Sequence, residues 1–314
     1  MSSDELDIGW IGCGRMGTAM STRLINAGNR VTVTNRTASK AQPLVELGAT
    51  MAASPADLAG CAIVFVMVAA DNDVLDVTVG PGGVLSDPTR APAILIDCST
   101  VSAETSAKVR HASGLRGTQF LAAPVSGNPK VVASGQLTLA VSGEREAFDQ
   151  ALPHLRQLGH GVTYVGTDEV ARLVKICHNM FLGAMTQSLA EIVVLAERGG
   201  IKRSALLEFI NSSIVGSPFT RYKTPAFVSL DFSPTFTTTL LLKDFRLGMD
   251  AAKASGVAMP VAALCTEMVA SAIGAGFGSD DFAVLLAEQA RSAGLSMADE
   301  PVGVDDGLRT TPGP

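Results

Sequence analysis

A lysine stands inside an apolar stretch: between residues 173 and 195 the only charged side chains are Lys175 and Glu191. An amine withdrawn from water gives up its proton more readily, so such a lysine can pass a proton to a carbonyl oxygen and take it back. In a helix Asn179 falls one turn further along the same face, where its uncharged amide could fix the ammonium without neutralising it. The competing reading is a lysine that snorkels to the surface or pairs with a carboxylate.

A second set of residues could hold a dinucleotide. Gly12-Cys13-Gly14-Arg15-Met16-Gly17 follows the apolar run 6–11 and precedes a helical pattern through Met20, Leu24 and Ile25 to Gly28. A strand, a Gly-x-Gly-x-x-Gly turn and a helix bring backbone amides against a pyrophosphate at a helix N-terminus. Residues 30–34 read as the next strand, and its end selects the cofactor. Where an NAD-binding unit has an acid for the ribose 2′-hydroxyl, this chain reads Asn35-Arg36-Thr37-Ala38-Ser39-Lys40. Arg36, the Thr37 hydroxyl and Lys40, following Asn35, suit a 2′-phosphate and predict NADP over NAD. The alternative is that Arg36 and Lys40 are solvated surface charges. A third set, Pro124-Val125-Ser126-Gly127-Asn128-Pro129, presents amides and a hydroxyl in a fixed shape suited to a substrate carboxylate or carbonyl oxygen. Read alone, it is a turn.

These groups need a scaffold. Apolar runs at 63–68, 94–97, 119–123, 137–141 and 162–165 read as strands, with helices starting at Ser54-Pro55, running through Val74 and Val77, and spanning 102–111 and 144–158. Such alternation predicts a parallel sheet covered on both faces, with the cofactor at its carboxyl edge beside Val68, Ala69 and Thr100. Thr100 could instead cap the helix after it. The lysine helix can start on Thr167 or Asp168, carry Glu169 at its positive end and close at Gly199 and Gly200. That makes roughly 30 residues and about 45 Å, mostly buried and long enough to bridge two domains. Later helical patterns cover 204–211, 239–253, 260–273 and 281–293, with a loop at 227–236 that places Phe232 and Phe236 over the active site or in the core. The expected fold is α/β: a Rossmann-type parallel-sheet domain over 1–165, a long interdomain helix over 166–200, an all-helical C-terminal domain over 201–297, and a disordered tail over 298–314.

With 314 residues, 47% hydrophobic, 17% charged and 5% aromatic, the chain reads as a soluble, aliphatic-rich globule large enough for two domains. A net charge of −6 without a basic cluster argues against nucleic acid or an anionic membrane as partner. Polar residues interrupt the lysine segment too often for a membrane span. Five scattered cysteines and four histidines show no ligand spacing, so reduced thiols and no metal are expected. The polar, acidic start is unlike a signal peptide, and the expected location is cytoplasmic.

The Gly12 to Gly17 loop with Met16, the Ala123-Pro124-Val125-Ser126-Gly127 loop and Lys175 with Asn179, nine residues beyond Gly166, together resemble the β-hydroxyacid dehydrogenase family. That family includes 3-hydroxyisobutyrate dehydrogenase and glyoxylate/succinic semialdehyde reductase. The resemblance extends over nearly the whole chain, including Leu242-Lys243-Asp244. It implies that Lys175 is the catalytic residue, assisted by Asn179, and that Ser126 and Gly127 bind substrate. It also implies that Lys243 reaches the cofactor or active site, and that the chain forms a homodimer or homotetramer through its helical domain. The implied reaction interconverts a small 3-hydroxy acid and its semialdehyde or keto form. Four positions depart from the pattern: Ala122 stands for the usual Asp, Asn128 for a second Gly, and Glu169 and Ala171 for two more glycines. Asn128 is expected to line or narrow the substrate loop. Arg172, on the face of Lys175, either reaches the same pocket or pairs locally with Asp168 or Glu169. The rivals are an imine reductase, which generally lacks the lysine, and a non-catalytic NADP-sensing protein.

Overall fold

The computed structural model describes residues 6–301 and 303–308. The chain divides into two compact units, and the division falls between Lys175 and Ile176. The expected leaderless start is carried mainly by residues 1–5, which lie outside the described residues.

The first unit is built on β1 (Ile8–Ile11), α1 (Arg15–Asn26), β2 (Val31–Thr34), α2 (Gln42–Glu46), β3 (Thr50–Met51), β4 (Ile63–Val66), α3 (Asp71–Thr78), β5 (Ile94–Asp97), α4 (Ala103–Gly114) and β6 (Gln119–Ala122). Then come β7 (Val125–Ser126), α5 (Pro129–Ala133), β8 (Thr138–Gly143), α6 (Arg145–Leu158) and β9 (Gly161–Gly166). The sheet order is β3-β2-β1-β4-β5-β6-β8-β7, with β9 on β8. Strands β1, β4 and β5 are buried along their whole length because helices cover both faces. Met20 and Leu24 of α1 pack with Phe148 and Leu155 of α6 in one core, and Val74 of α3 with Val109 of α4 in the other. The sheet is parallel as expected from β3 to β6, and on its far side β8 runs antiparallel to both β6 and β7. Alternating apolar residues give a strand its faces but not its direction.

Helix α7 (Val170–Arg198) carries the chain from the first unit into the second. Its start is met from a distance: the Ser142 hydroxyl of β8 donates to the Asp168 carbonyl and accepts from the Ala171 amide. Arg110 holds Asp168 and Glu169 outside the helix. The far end closes as its glycines predict, with Gly200 at φ +81° and the Ile201 amide turned back to Ala196.

The second unit adds α8 (Arg203–Ser212), α9 (Pro218–Ser229), α10 (Thr238–Ala254), α11 (Pro260–Ala272) and α12 (Leu285–Ser292). Ile176 and Met180 of α7 pack with Phe245, Val269 and Phe282, while Ala190 and Val194 pack with Leu207, Phe227 and Leu286. Phe227 therefore belongs to a helix and not to the expected loop; Phe236 stacks edge-on against Phe282. Helix α7 is less buried than its composition implies, since Leu173, Val174, Phe181, Ile192 and Leu195 are exposed. By length and apolar content alone α7 and the segment Pro260–Phe277 could cross a membrane. In α7, however, Arg172, Asn179 and Gln187 are buried and bonded to protein groups, as in an interior helix. The expected disordered tail is held over part of its length. Glu300 accepts from the Arg203 and Ser204 amides, and Arg203 also donates to the Ala298 carbonyl. Val302 and residues 309–314 of that tail lie outside the described residues.

Candidate active site

The strand–turn–helix at Gly12 to Gly17 forms a cradle whose shape depends on missing side chains. A Cβ on Gly12, at φ +99°, would lie 2.2 Å from the Met67 carbonyl oxygen, and one on Gly17 would lie 1.9 Å from that of Gly12. The buried Trp10 indole donates to the Gly12 carbonyl at 3.0 Å and fixes the turn from below. Gly14 stands at the N-cap of α1 with no side-chain cap, no acid in the first turn and no atom within 4 Å of where its Cβ would be. Open space before an uncapped helix start fits the diphosphate of a nicotinamide dinucleotide. Cys13 lies in this turn, and burial pushes its thiol up to about 11, so it stays protonated.

The cofactor residues expected after β2, β4 and β5 lie at the same carboxyl edge of the sheet. Asn35, after β2, accepts from the Cys13 amide at 2.8 Å and donates to the Thr37 carbonyl at 2.8 Å. It ties the glycine turn to the segment after β2. Arg36, Thr37 and Lys40 are exposed, and Arg36 makes a loose pair with Asp73 at 3.2 Å. After β4, the Val68 amide donates to the Ser99 hydroxyl, with Ala69 exposed beyond it. Thr100 is half-buried after β5; the cap of α4 comes from Ser102, whose hydroxyl accepts from the Thr105 amide.

Lys175 is half-buried in the second turn of α7, not sealed in an apolar interior as its neighbours suggest. Arg172, one turn before it, takes neither expected place. Its guanidinium is buried and donates to Asp97 at 2.6 Å, to the Ser99 carbonyl at 2.6 Å and to the Ser106 hydroxyl at 3.1 Å. Asp97 and Ser99 carry no motif. An acid ending an otherwise apolar strand was their only signal.

The residues expected to bind substrate lie at and just after β7. Ser126 is half-buried and Gly127 exposed at φ +145°, where a Cβ would press on Val131 at 2.8 Å. Asn128 turns inward instead of lining the loop, and its side-chain oxygen accepts from the Lys130 and Val131 amides to cap α5. In the second unit the Asn179 amide donates to the buried Asp244 carboxylate at 2.6 Å, and its oxygen lies 3.0 Å from His178 Nδ1. Lys243, partly exposed, lies 3.9 Å from Asp244.

Residues 7–166 match the family model for the NAD binding domain of 6-phosphogluconate dehydrogenase, and residues 170–288 that for the NAD-binding domain of NADP-dependent 3-hydroxyisobutyrate dehydrogenase. Glyoxylate/succinic semialdehyde reductase 1 of Arabidopsis thaliana is 34% identical over 282 residues, covering 90% of this chain and 97% of its own. The chain belongs to the β-hydroxyacid dehydrogenase family. A 3-hydroxyisobutyrate dehydrogenase of Pseudomonas aeruginosa is 32% identical over 270 residues, covering 83% of this chain and 90% of its own. The crystal structure of another, from Salmonella typhimurium, superposes with a TM-score of 0.80 at 26% identity, covering 90% of this chain and 99% of its own. As a family member the protein is an NAD(P)-dependent oxidoreductase of the hydroxyacid dehydrogenase class.

The departures of this β-hydroxyacid dehydrogenase from its family pattern now have places. Ala122 is buried in register beside Asp97, Ala171 packs into the core under α4, Glu169 pairs with Arg110, and Asn128 caps a helix.

Proposed function

We propose that the protein is an NADP-dependent reductase interconverting a small 3-hydroxy acid and its semialdehyde or keto form. The observation that carries this reading is Lys175, half-buried on a helix whose first turn is bonded to the loop after β5. Residues 12–17 hold the diphosphate at the start of α1, while Arg36, Thr37 and Lys40 hold the 2′-phosphate. Val68, Ala69 and Thr100 border the nicotinamide end, and Lys243 is a further cofactor-binding residue. When bound, the cofactor supplies or accepts the hydride. Ser126 and the Gly127 amide orient the acid group, which leaves the carbonyl oxygen for Lys175. That amine gives the oxygen its proton in reduction and recovers it in oxidation. Asn179, braced by Asp244, steadies the face of α7 on which Lys175 stands.

Initial rates of NADPH oxidation with glyoxylate, succinic semialdehyde, methylmalonate semialdehyde and tartronate semialdehyde test the reaction; none turned over would sink it. NADP preference rests on the absence of any carboxylate between Asn35 and Lys40 and on Arg36, whose exposed pair with Asp73 is weak enough to yield to a phosphate. The expected result is a kcat/KM for NADPH at least about tenfold above that for NADH, the equivalent of ~1.4 kcal/mol. Replacing Arg36 by alanine removes most of that margin, and an NADH-preferring parent contradicts the assignment.

The helical unit exposes Phe181, Leu195, Phe209, Ile214 and Leu264. A homodimer or homotetramer through this unit covers them. Light scattering on the eluting protein is expected to give at least twice the 32.4 kDa chain mass; a monomer at micromolar concentration contradicts it.

A further inference from the structure

Arg172 is a long cation with no exposed purpose, since both it and Asp97 are almost entirely buried. A buried ion pair is a poor way to gain stability, because well-packed apolar residues of the same volume usually do as well. What it does provide is direction. The planar guanidinium sends three bonds to fixed points: the Asp97 carboxylate, the Ser99 carbonyl and the Ser106 hydroxyl. Two of those partners organise the loops after β4 and β5. Asp97 also accepts from the Ser99 amide at 2.9 Å, and the Ser99 hydroxyl accepts from the Val68 amide at 3.0 Å. The guanidinium therefore touches helix, strand end and both loops through one connected set of hydrogen bonds.

The geometry points to Arg172 as a positioning residue: its buried bonds to Asp97, Ser99 and Ser106 set where α7 presents Lys175 relative to the loops at 67–70 and 98–101. Lys175 follows Arg172 by three positions, so the two side chains leave the same helix face one turn apart. A rotation or slide of α7's first turns would carry the amine with it. The family pattern has small residues before the lysine where this chain has Glu169 and Ala171, and here the clamp fixes the turn that glycines would leave free. This assignment rests on the reading of Lys175 as the proton donor.

The test uses the double variant Arg172→Leu/Asp97→Asn, which removes both buried charges while keeping an oxygen at position 97 for the Ser99 amide. NADPH oxidation is followed with saturating glyoxylate, succinic semialdehyde, methylmalonate semialdehyde and tartronate semialdehyde, each in turn. The expected result is a thermal midpoint near the parent's and a kcat lowered roughly 10- to 100-fold, the effect of misplacing a reacting group by about 1 Å, with KM for the aldehyde unchanged. A folded double variant with parental kcat overturns the proposal. Should the double variant not fold, Arg172→Lys decides: it keeps the charge but loses the planar fork, and parental kcat there overturns the proposal equally. Lys175→Met is measured beside them. If it keeps turnover, or if the parent is idle on all four aldehydes, the reading beneath falls and this assignment with it. If it loses turnover while the Arg172 variants keep theirs, the positioning role alone is refuted.

Discussion

Replacing Lys175 by alanine is expected to lower kcat about a thousandfold, the middle of the range for removing a general acid, while NADPH still binds with nearly parental affinity. The separation follows from where the parts lie. The glycine turn is fixed by Trp10 of β1 and by Asn35, which also holds the Thr37 carbonyl, and these bonds lie at the ends of β1 and β2. Truncating the lysine therefore leaves the dinucleotide cradle intact. A half-buried side chain also gives up little packing, so the fold should be unaffected. Fluorescence titration with NADPH and steady-state turnover separate the two effects. Turnover within tenfold of the parent, or a loss of cofactor affinity equal to the loss of kcat/KM, contradicts the role of Lys175 as the proton donor.

The second large effect is on stability. In the helical unit Lys223 and Asp281 form an ion pair with both side chains almost fully buried, and the Lys223 ammonium sits 4.1 Å from the Phe282 ring centroid. Asp281 also accepts from the Thr235 hydroxyl at 2.6 Å and from the Thr235 and Ala283 amides at 3.0 Å. Changing Asp281 to asparagine leaves a buried ammonium without its counterion, and a broken buried pair of this kind costs about 3–5 kcal/mol. The midpoint of urea unfolding, read at neutral pH, should fall accordingly. Burial pushes the Asp281 carboxyl up, but the Lys223 ammonium and the hydrogen bonds from Lys223, Thr235 and Ala283 outweigh it and hold the group below the ordinary carboxylate range. A carboxyl depressed in the fold stabilises it fully above its unfolded value of about 3.9, and that stabilisation is lost as pH falls through the folded value. The parent should therefore lose stability steeply below about pH 4, and the asparagine variant less so. Equal slopes in that window would show that Asp281 does not carry the acid sensitivity.

What could be read from the sequence was whatever depends on neighbours along the chain. The glycine turn is legible because six consecutive residues carry its geometry, and the end of α7 because Gly199-Gly200 can close a helix by itself. Helix α9 was hidden by Pro218 and Pro225, which read as breakers. Yet Pro218 occupies the first turn, where its missing amide costs nothing, and Ser217 with Thr220 forms a capping box at that start. That box was a usable signal. The reversed strand β8 and the inward turn of Asn128 depend on pairing and capping that periodicity does not encode. The partners of Arg172 and Lys223 lie 75 and 58 residues away along the chain, and only folding brings them together. A local pairing rule therefore sends Arg172 to Asp168 or Glu169, whereas burial of Asp97 requires a cation from elsewhere.

The most direct test of the proposed chemistry is isotopic. The purified protein is incubated with NADPH deuterated at C4, each face in turn, together with glyoxylate, succinic semialdehyde, methylmalonate semialdehyde, tartronate semialdehyde and a cyclic imine, and the products are read by mass spectrometry. A hydroxy acid carrying one deuterium on the carbinol carbon, from one face only, is the predicted result. Deuterium found only in an amine from the imine, with every acid-bearing aldehyde unreduced, would contradict it.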